Sequence, residues 1–159
     1  MKISIKSYLP IIYIYLSSIL SVFFLNWFFM LSFREIILYF LGIFILIFSF
    51  LKIINLKGFV QNLIEYDFIS RRFKIYAYLF PFFELFFGIL FLLKIEILYL
   101  EVLCLVFFTL NLVSVINALR KKKQFVCACL GGLFEIPLSY VSLIENVTMI
   151  VGVLFLLLT

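Results

Sequence analysis

Five stretches of this chain carry almost no charge over a length that fits a lipid bilayer, and that pattern limits the folds open to it. They lie at about 7–31, 36–51, 74–93, 97–119 and 140–158, with most Lys, Arg, Asp and Glu gathered between them. A hydrocarbon core of ~30 Å needs about 20 residues of helix at ~1.5 Å each. Across the 159 residues, 67% are hydrophobic and 13% charged, with mean hydropathy +1.33. Soluble domains hold roughly 45–50% and 25%. A soluble chain this short has too little interior to hide so many Phe, Leu and Ile side chains. The expectation is an all-α polytopic membrane bundle forming a single domain over 1–159.

The individual runs refine this. The first, preceded by Lys2 and Lys6, is longer than the apolar core of a secretory signal and lacks an A-x-A-like site, so it reads as a retained helix. The second has only sixteen uncharged residues, with Arg34 and Glu35 as its outer boundary; Lys52 is expected to lengthen it by snorkelling its ammonium to the interface. In the polar interval that follows, Leu56, Phe59, Val60, Leu63 and Ile64 recur at helical spacing after a plausible N-cap, Asn55. That predicts a short amphipathic helix over about 56–68, either lying in the interface or covering the bundle.

The third span reads YLFPFFELFFGIL at its centre and places Pro81, Glu84 and Gly88 on one face. A mid-span carboxyl costs on the order of 2.5–3.5 kcal/mol on insertion scales and needs a reason. Two are open for Glu84: a neutral acid hydrogen-bonded to Asn111, Ser114 or Asn117, or a role in proton or cation handling. Cys104, alone among Leu and Val in the fourth span, reads as a small buried hydrophobe. The second and third spans carry few small residues, so close pairing of the G-x-x-x-G kind is not expected there.

With five spans, the N-terminus and the 52–74 and 120–139 intervals share one side of the membrane. Eleven of the 13 Lys and Arg lie there, and only Arg34 and Lys94 lie opposite. The positive-inside rule then assigns the N-terminus and the 120–139 loop to the cytoplasm. The net charge of +5 is explained by the membrane surface, with no nucleic acid implied.

That loop holds the densest chemistry, QFVCACLGGLFEIPLS at 124–139. Cys127 and Cys129 are one residue apart and follow four cationic side chains at 120–123, which favour thiolates. Gly131 and Gly132 permit a sharp turn and a close approach to a partner, and Pro137 suits the start of a helix. The chain has no histidine, so Ser-His-Asp and Cys-His nucleophiles and His-containing zinc sites are excluded. A C-x-C dithiol fits thiol–disulfide exchange and equally fits capture of a soft ion such as Cu(I).

The order of motifs resembles the methylamine-utilisation MauE group of the broader DoxX-like membrane proteins. The segments are FSFLKIINLKGF (48–59), IEYDFISRRFKIYAYLFPFFELFFG (64–88) and CACLGGLFEIPLSYVSLIEN (127–146). The matching positions include Lys52, Phe59, Tyr66, Asp67, Pro81, Glu84, Gly88, Cys127, Cys129, Gly131, Pro137, Leu138, Ser139 and Glu145, and the similarity covers about 34–155. The resemblance implies a four-helix core plus an N-terminal span, in a bacterial inner-membrane protein described as redox-associated. Founding members are linked to maturation of a disulfide-rich enzyme subunit.

Three functions follow as expectations. In the first, Cys127 and Cys129 exchange disulfides with a partner while Glu84 assists proton movement; Lys52, Pro81, Gly88, Gly131, Gly132 and Pro137 support them. In the second, the same cysteines hand on a soft metal such as copper or mercury. In the third, the chain is a non-catalytic assembly factor. The compatible cofactors are a quinone or Cu(I), and the partners are the lipid bilayer with a thioredoxin-like protein or a metallochaperone.

Overall fold

The computed structural model describes residues 9–95, 97–120 and 141–158. These form α1 (Leu9–Phe29), α2 (Phe33–Ile54), α3 (Leu56–Tyr66), α4 (Phe68–Arg72), α5 (Lys74–Leu92), α6 (Leu98–Arg120) and α7 (Val141–Leu158). Five of them, α1, α2, α5, α6 and α7, are long and apolar enough to cross a membrane. Their outward side chains are apolar too: Leu16, Phe23, Phe82, Phe86, Leu103, Val106 and Val151 are exposed on the bundle, as contact with lipid tails requires. The expected polytopic helical bundle is therefore what forms.

Each helix end has a local cause. Ser32 caps α2 in a reciprocal box with Glu35, so this helix begins at Phe33 and takes Arg34 and Glu35 into its first turn. The resulting 22 residues remove the shortfall of the sixteen-residue run. The amide side chain of Asn26 accepts from the Leu31 N–H and closes α1, with Met30 in the left-handed region. Asn55 caps α3 by accepting from the Gly58 N–H, as its sequence position suggests. Asp67 breaks the amphipathic segment in two: its N–H bonds back to Leu63, while its carboxylate accepts from the Ser70 N–H at 2.7 Å and starts α4. Arg71 then donates to the Ile64 and Glu65 carbonyls, covering the open end of α3.

Packing centres on α2, which touches α1, α3, α5 and α7, and its contact with α5 is the most extensive in the molecule. That pair is closer than the sequence led us to expect. A β-carbon added at Gly88 would lie 2.7 Å from Leu46 Cγ, and one at Gly42 would lie 3.1 Å from the Gly88 carbonyl oxygen. Two glycines on facing helices, without a G-x-x-x-G spacing in either, are enough to bring the backbones together. Between α1, α2 and α7 the core is built by Ile11, Phe44, Phe48, Met149 and Val153. The apolar face of α3 is buried against α5 and α6, where Phe59, Val60 and Leu63 meet Ala77, Phe80 and Val115. Thus α3 covers the bundle with its greasy side and leaves Lys57 exposed.

Candidate functional site

Where α2, α5 and α7 converge, three ionisable side chains are shut inside. The Lys52 ammonium lies 2.5 Å from Glu84 Oε1 and 2.7 Å from Glu145 Oε1. All three residues are at most 1% exposed. The rings of Phe48, Phe59 and Phe80 surround the ammonium, with their centroids 5.3–5.8 Å away, close enough for cation–π attraction. Beside the cluster, the Ser49 hydroxyl donates to the Pro81 carbonyl at 2.7 Å, which pins α2 to α5 one turn from Glu84.

The expected snorkelling of Lys52 is corrected by this geometry. In a helix each side chain leans toward the N-terminal end. For Lys52, near the C-terminal end of α2, that lean points into the bundle and away from the interface. Glu84 leans the opposite way on the antiparallel α5, so the two meet. A buried ammonium without counterions would be prohibitive, and the two carboxylates supply them.

Glu84 therefore has a partner other than those considered from sequence. Asn111 donates to Asn146 Oδ1 at 3.0 Å, Ser114 donates to Asp67 Oδ1 at 2.6 Å, and Asn117 is exposed. Asn111 and Ser114 thus form a second polar layer that ties α6 to α7 and to the Asp67 corner. Asn146 completes it by donating to the Ser142 carbonyl at 2.6 Å. Glu145, next to Asn146 in the chain, joins this layer to the Lys52 cluster. Its role was missed in the sequence, although it and Glu84 are both acids inside apolar runs and Lys52 is a base at the end of one. Inside lipid, opposite charges of that kind are expected to find each other.

The other candidate residues fall in different places. Pro81 and Gly88 lie on the buried face of α5, the first accepting from the Ser49 hydroxyl through its carbonyl oxygen and the second giving room for α2. Cys104 is fully buried, as its setting among Leu and Val suggested. Cys127, Cys129, Gly131, Gly132 and Pro137 lie outside the described residues. The segment that contains them joins Arg120 of α6 to Val141 of α7, so it enters α7 about one turn before Glu145. Among the described residues no group of three or more His, Cys, Asp or Glu is arranged to hold a metal ion.

The two ends of the bundle differ in charge. At one end Arg34 faces Glu101 at 3.8 Å and Lys94 bonds Glu35, so described cations are matched by described anions. Beside the Glu35 carboxylate, the Lys94 ammonium is held above the usual lysine range. The other end exposes Lys57, Arg71, Arg72, Lys74 and Arg120.

No curated protein and no solved structure matches the chain. The family model described as "Methylamine utilisation protein MauE" matches residues 30–159, which takes in the whole path from α2 to α7, both polar layers and the C-x-C segment. With five apolar helices around a buried Lys52–Glu84–Glu145 cluster, this chain is a multi-pass membrane protein and belongs to the MauE family.

Proposed function

We propose that this MauE-family protein exchanges disulfides with a partner protein through Cys127 and Cys129, with Glu84 assisting the accompanying proton movement. The observation that carries the reading is the C-x-C pair three residues beyond the four cationic residues at 120–123, a setting that favours the reactive thiolate. One thiolate of the pair attacks the partner's disulfide, forms a mixed disulfide and releases one partner thiolate. The second cysteine attacks the bridged sulfur, closes the C-x-C disulfide and releases the other partner thiolate. Two electrons pass to the partner, and the two protons of the dithiol end on the partner's thiols. A thioredoxin-like protein is the class of reductant that resets the pair.

The exposed basic end supports a cytoplasmic position for this segment in a bacterial inner membrane, by the positive-inside rule. Because Lys52 is buried, it no longer counts toward that bias, yet the asymmetry persists without it. Of the Cys127→Ser and Cys129→Ser variants, the one that lacks the resolving thiol should accumulate a mixed disulfide. If neither variant traps a partner on non-reducing gels, with candidate partners present, the exchange reading fails.

The same cytoplasmic address favours a second reading. Thiols there stay reduced, so the pair could receive a soft ion such as Cu(I) from a metallochaperone. Purified protein under reducing conditions would then bind Cu(I) stoichiometrically, and the double serine variant would not. A chain that traps no disulfide and binds no Cu(I), yet co-purifies with one partner, would be an assembly factor.

A further inference from the structure

We infer that the Lys52–Glu84–Glu145 cluster is a proton-binding site, in which the two carboxyl groups share one exchangeable proton inside the membrane. The inference rests on the proton role given to Glu84 above and adds the two residues that make such a role workable.

The first ground is charge. One ammonium faces two carboxyl groups, so with both ionised the cluster carries a net charge of −1 among phenylalanine rings. Isolated net charge in that setting is strongly penalised. One added proton brings the cluster to zero. The second ground is hydrogen bonding. Lys52 engages Oε1 of both acids, while Glu84 Oε2 and Glu145 Oε2 are buried with no partner. Orphaned carboxylate oxygens are costly. The two carboxyl groups are neighbours, since Oε1 of each lies within 2.7 Å of the one ammonium. A proton on one carboxyl group cancels the surplus charge and turns that group into a hydrogen-bond donor beside an acceptor-only carboxylate.

Among the described residues, the other ionisable groups around the cluster do not supply the missing charge. Tyr76 of α5 and Cys104 of α6 feel the field of Glu84, and Tyr15 of α1 feels that of Glu145. Each is neutral or negative in its accessible states. Asp67, the cap of α4, and Glu101 of α6 are further acids, and Asp67 is engaged by Ser70 and Ser114. Lys52 is thus the only cation in this set. Release of the proton leaves the ammonium against two carboxylates, and uptake restores neutrality. The cluster is therefore a site where one proton can be stored and returned, one turn inside the helix that the C-x-C segment enters.

Infrared spectra of the full chain in lipid nanodiscs, in ordinary and heavy water, test this without using the cysteines. They are recorded on the Cys127→Ser/Cys129→Ser protein, so the site and the exchange reading can fail separately. The expected result is the carbonyl stretch of a protonated carboxylic acid, shifted by deuteration. It should disappear in both Glu84→Gln and Glu145→Gln, because either change leaves a neutral Lys–Glu pair. In Lys52→Met the intensity should roughly double, since both acids must then be neutral. Persistence of the whole band in either glutamine variant overturns the inference. If the variants do not fold, the parent spectrum still decides: the absence of a protonated acid, or its loss when sodium is added, would mean that a bound cation balances the charge instead.

Discussion

Removing the Lys52 ammonium leaves two facing carboxyl groups with no counterion, whereas removing either carboxyl leaves a neutral pair. The three substitutions should therefore differ sharply in cost. Lys52→Met is expected to destabilise by about 3–5 kcal/mol, the usual penalty for breaking a buried ion pair. Glu84→Gln and Glu145→Gln should each cost less, and the triple change should recover much of what Lys52→Met loses. Thermal melting in one detergent, compared across the four proteins, checks that order; a Lys52→Met protein as stable as either glutamine variant would contradict it. Cys104 gives a second test at this scale. In the Cys127→Ser/Cys129→Ser background it should resist a maleimide in the folded protein and react fully after denaturation, because its side chain has no exposed surface. Its burial was legible from its apolar neighbours. The destination of Lys52 was not, because snorkelling considers only the length of the side chain. The direction in which its Cα–Cβ bond leans depends on which way the helix runs, and the partners are 32 and 93 residues away.

At the level of helices, the α2–α5 contact carries the arrangement. Gly88→Val should lower the melting temperature by the equivalent of about 1–3 kcal/mol through overpacking. Adding Leu46→Ala should relieve part of that, since Leu46 Cγ is the nearest obstacle at 2.7 Å. Equal melting of the single and double variants would mean that the strain is taken up elsewhere. The spans themselves were readable because the apolar runs approach or exceed the length a bilayer core needs, and charged residues separate one run from the next. The break at Asp67 was not, since the segment 56–72 keeps one helical period on either side of it. What breaks the helix is tertiary: a carboxylate that caps α4 and accepts from Ser114 of α6 in the same position. Close glycine packing was missed for a similar reason. A G-x-x-x-G search looks along one helix, while Gly42 and Gly88 make their contact across two.

For the whole molecule, the contrast between a charge-matched end and a basic end predicts an orientation in the membrane. Single cysteines at Lys57 and Lys94, in a cysteine-free background, should be labelled by an impermeant thiol reagent from opposite sides, Lys57 from the cytoplasm. Labelling of both from one side would overturn the five-span topology. The same buried cluster also constrains how the chain is made. Lys52 is synthesised 32 residues before Glu84 and 93 before Glu145, so the ammonium enters the bilayer ahead of both counterions. An ammonium without a counterion is costly in lipid, so Lys52 is expected to turn inward only once α5 has brought Glu84. Once Glu84 arrives with α5 the ammonium has its counterion, so a nascent chain cut short before α7 holds a neutral Lys52–Glu84 pair, and Glu145 brings the surplus carboxylate only when α7 joins.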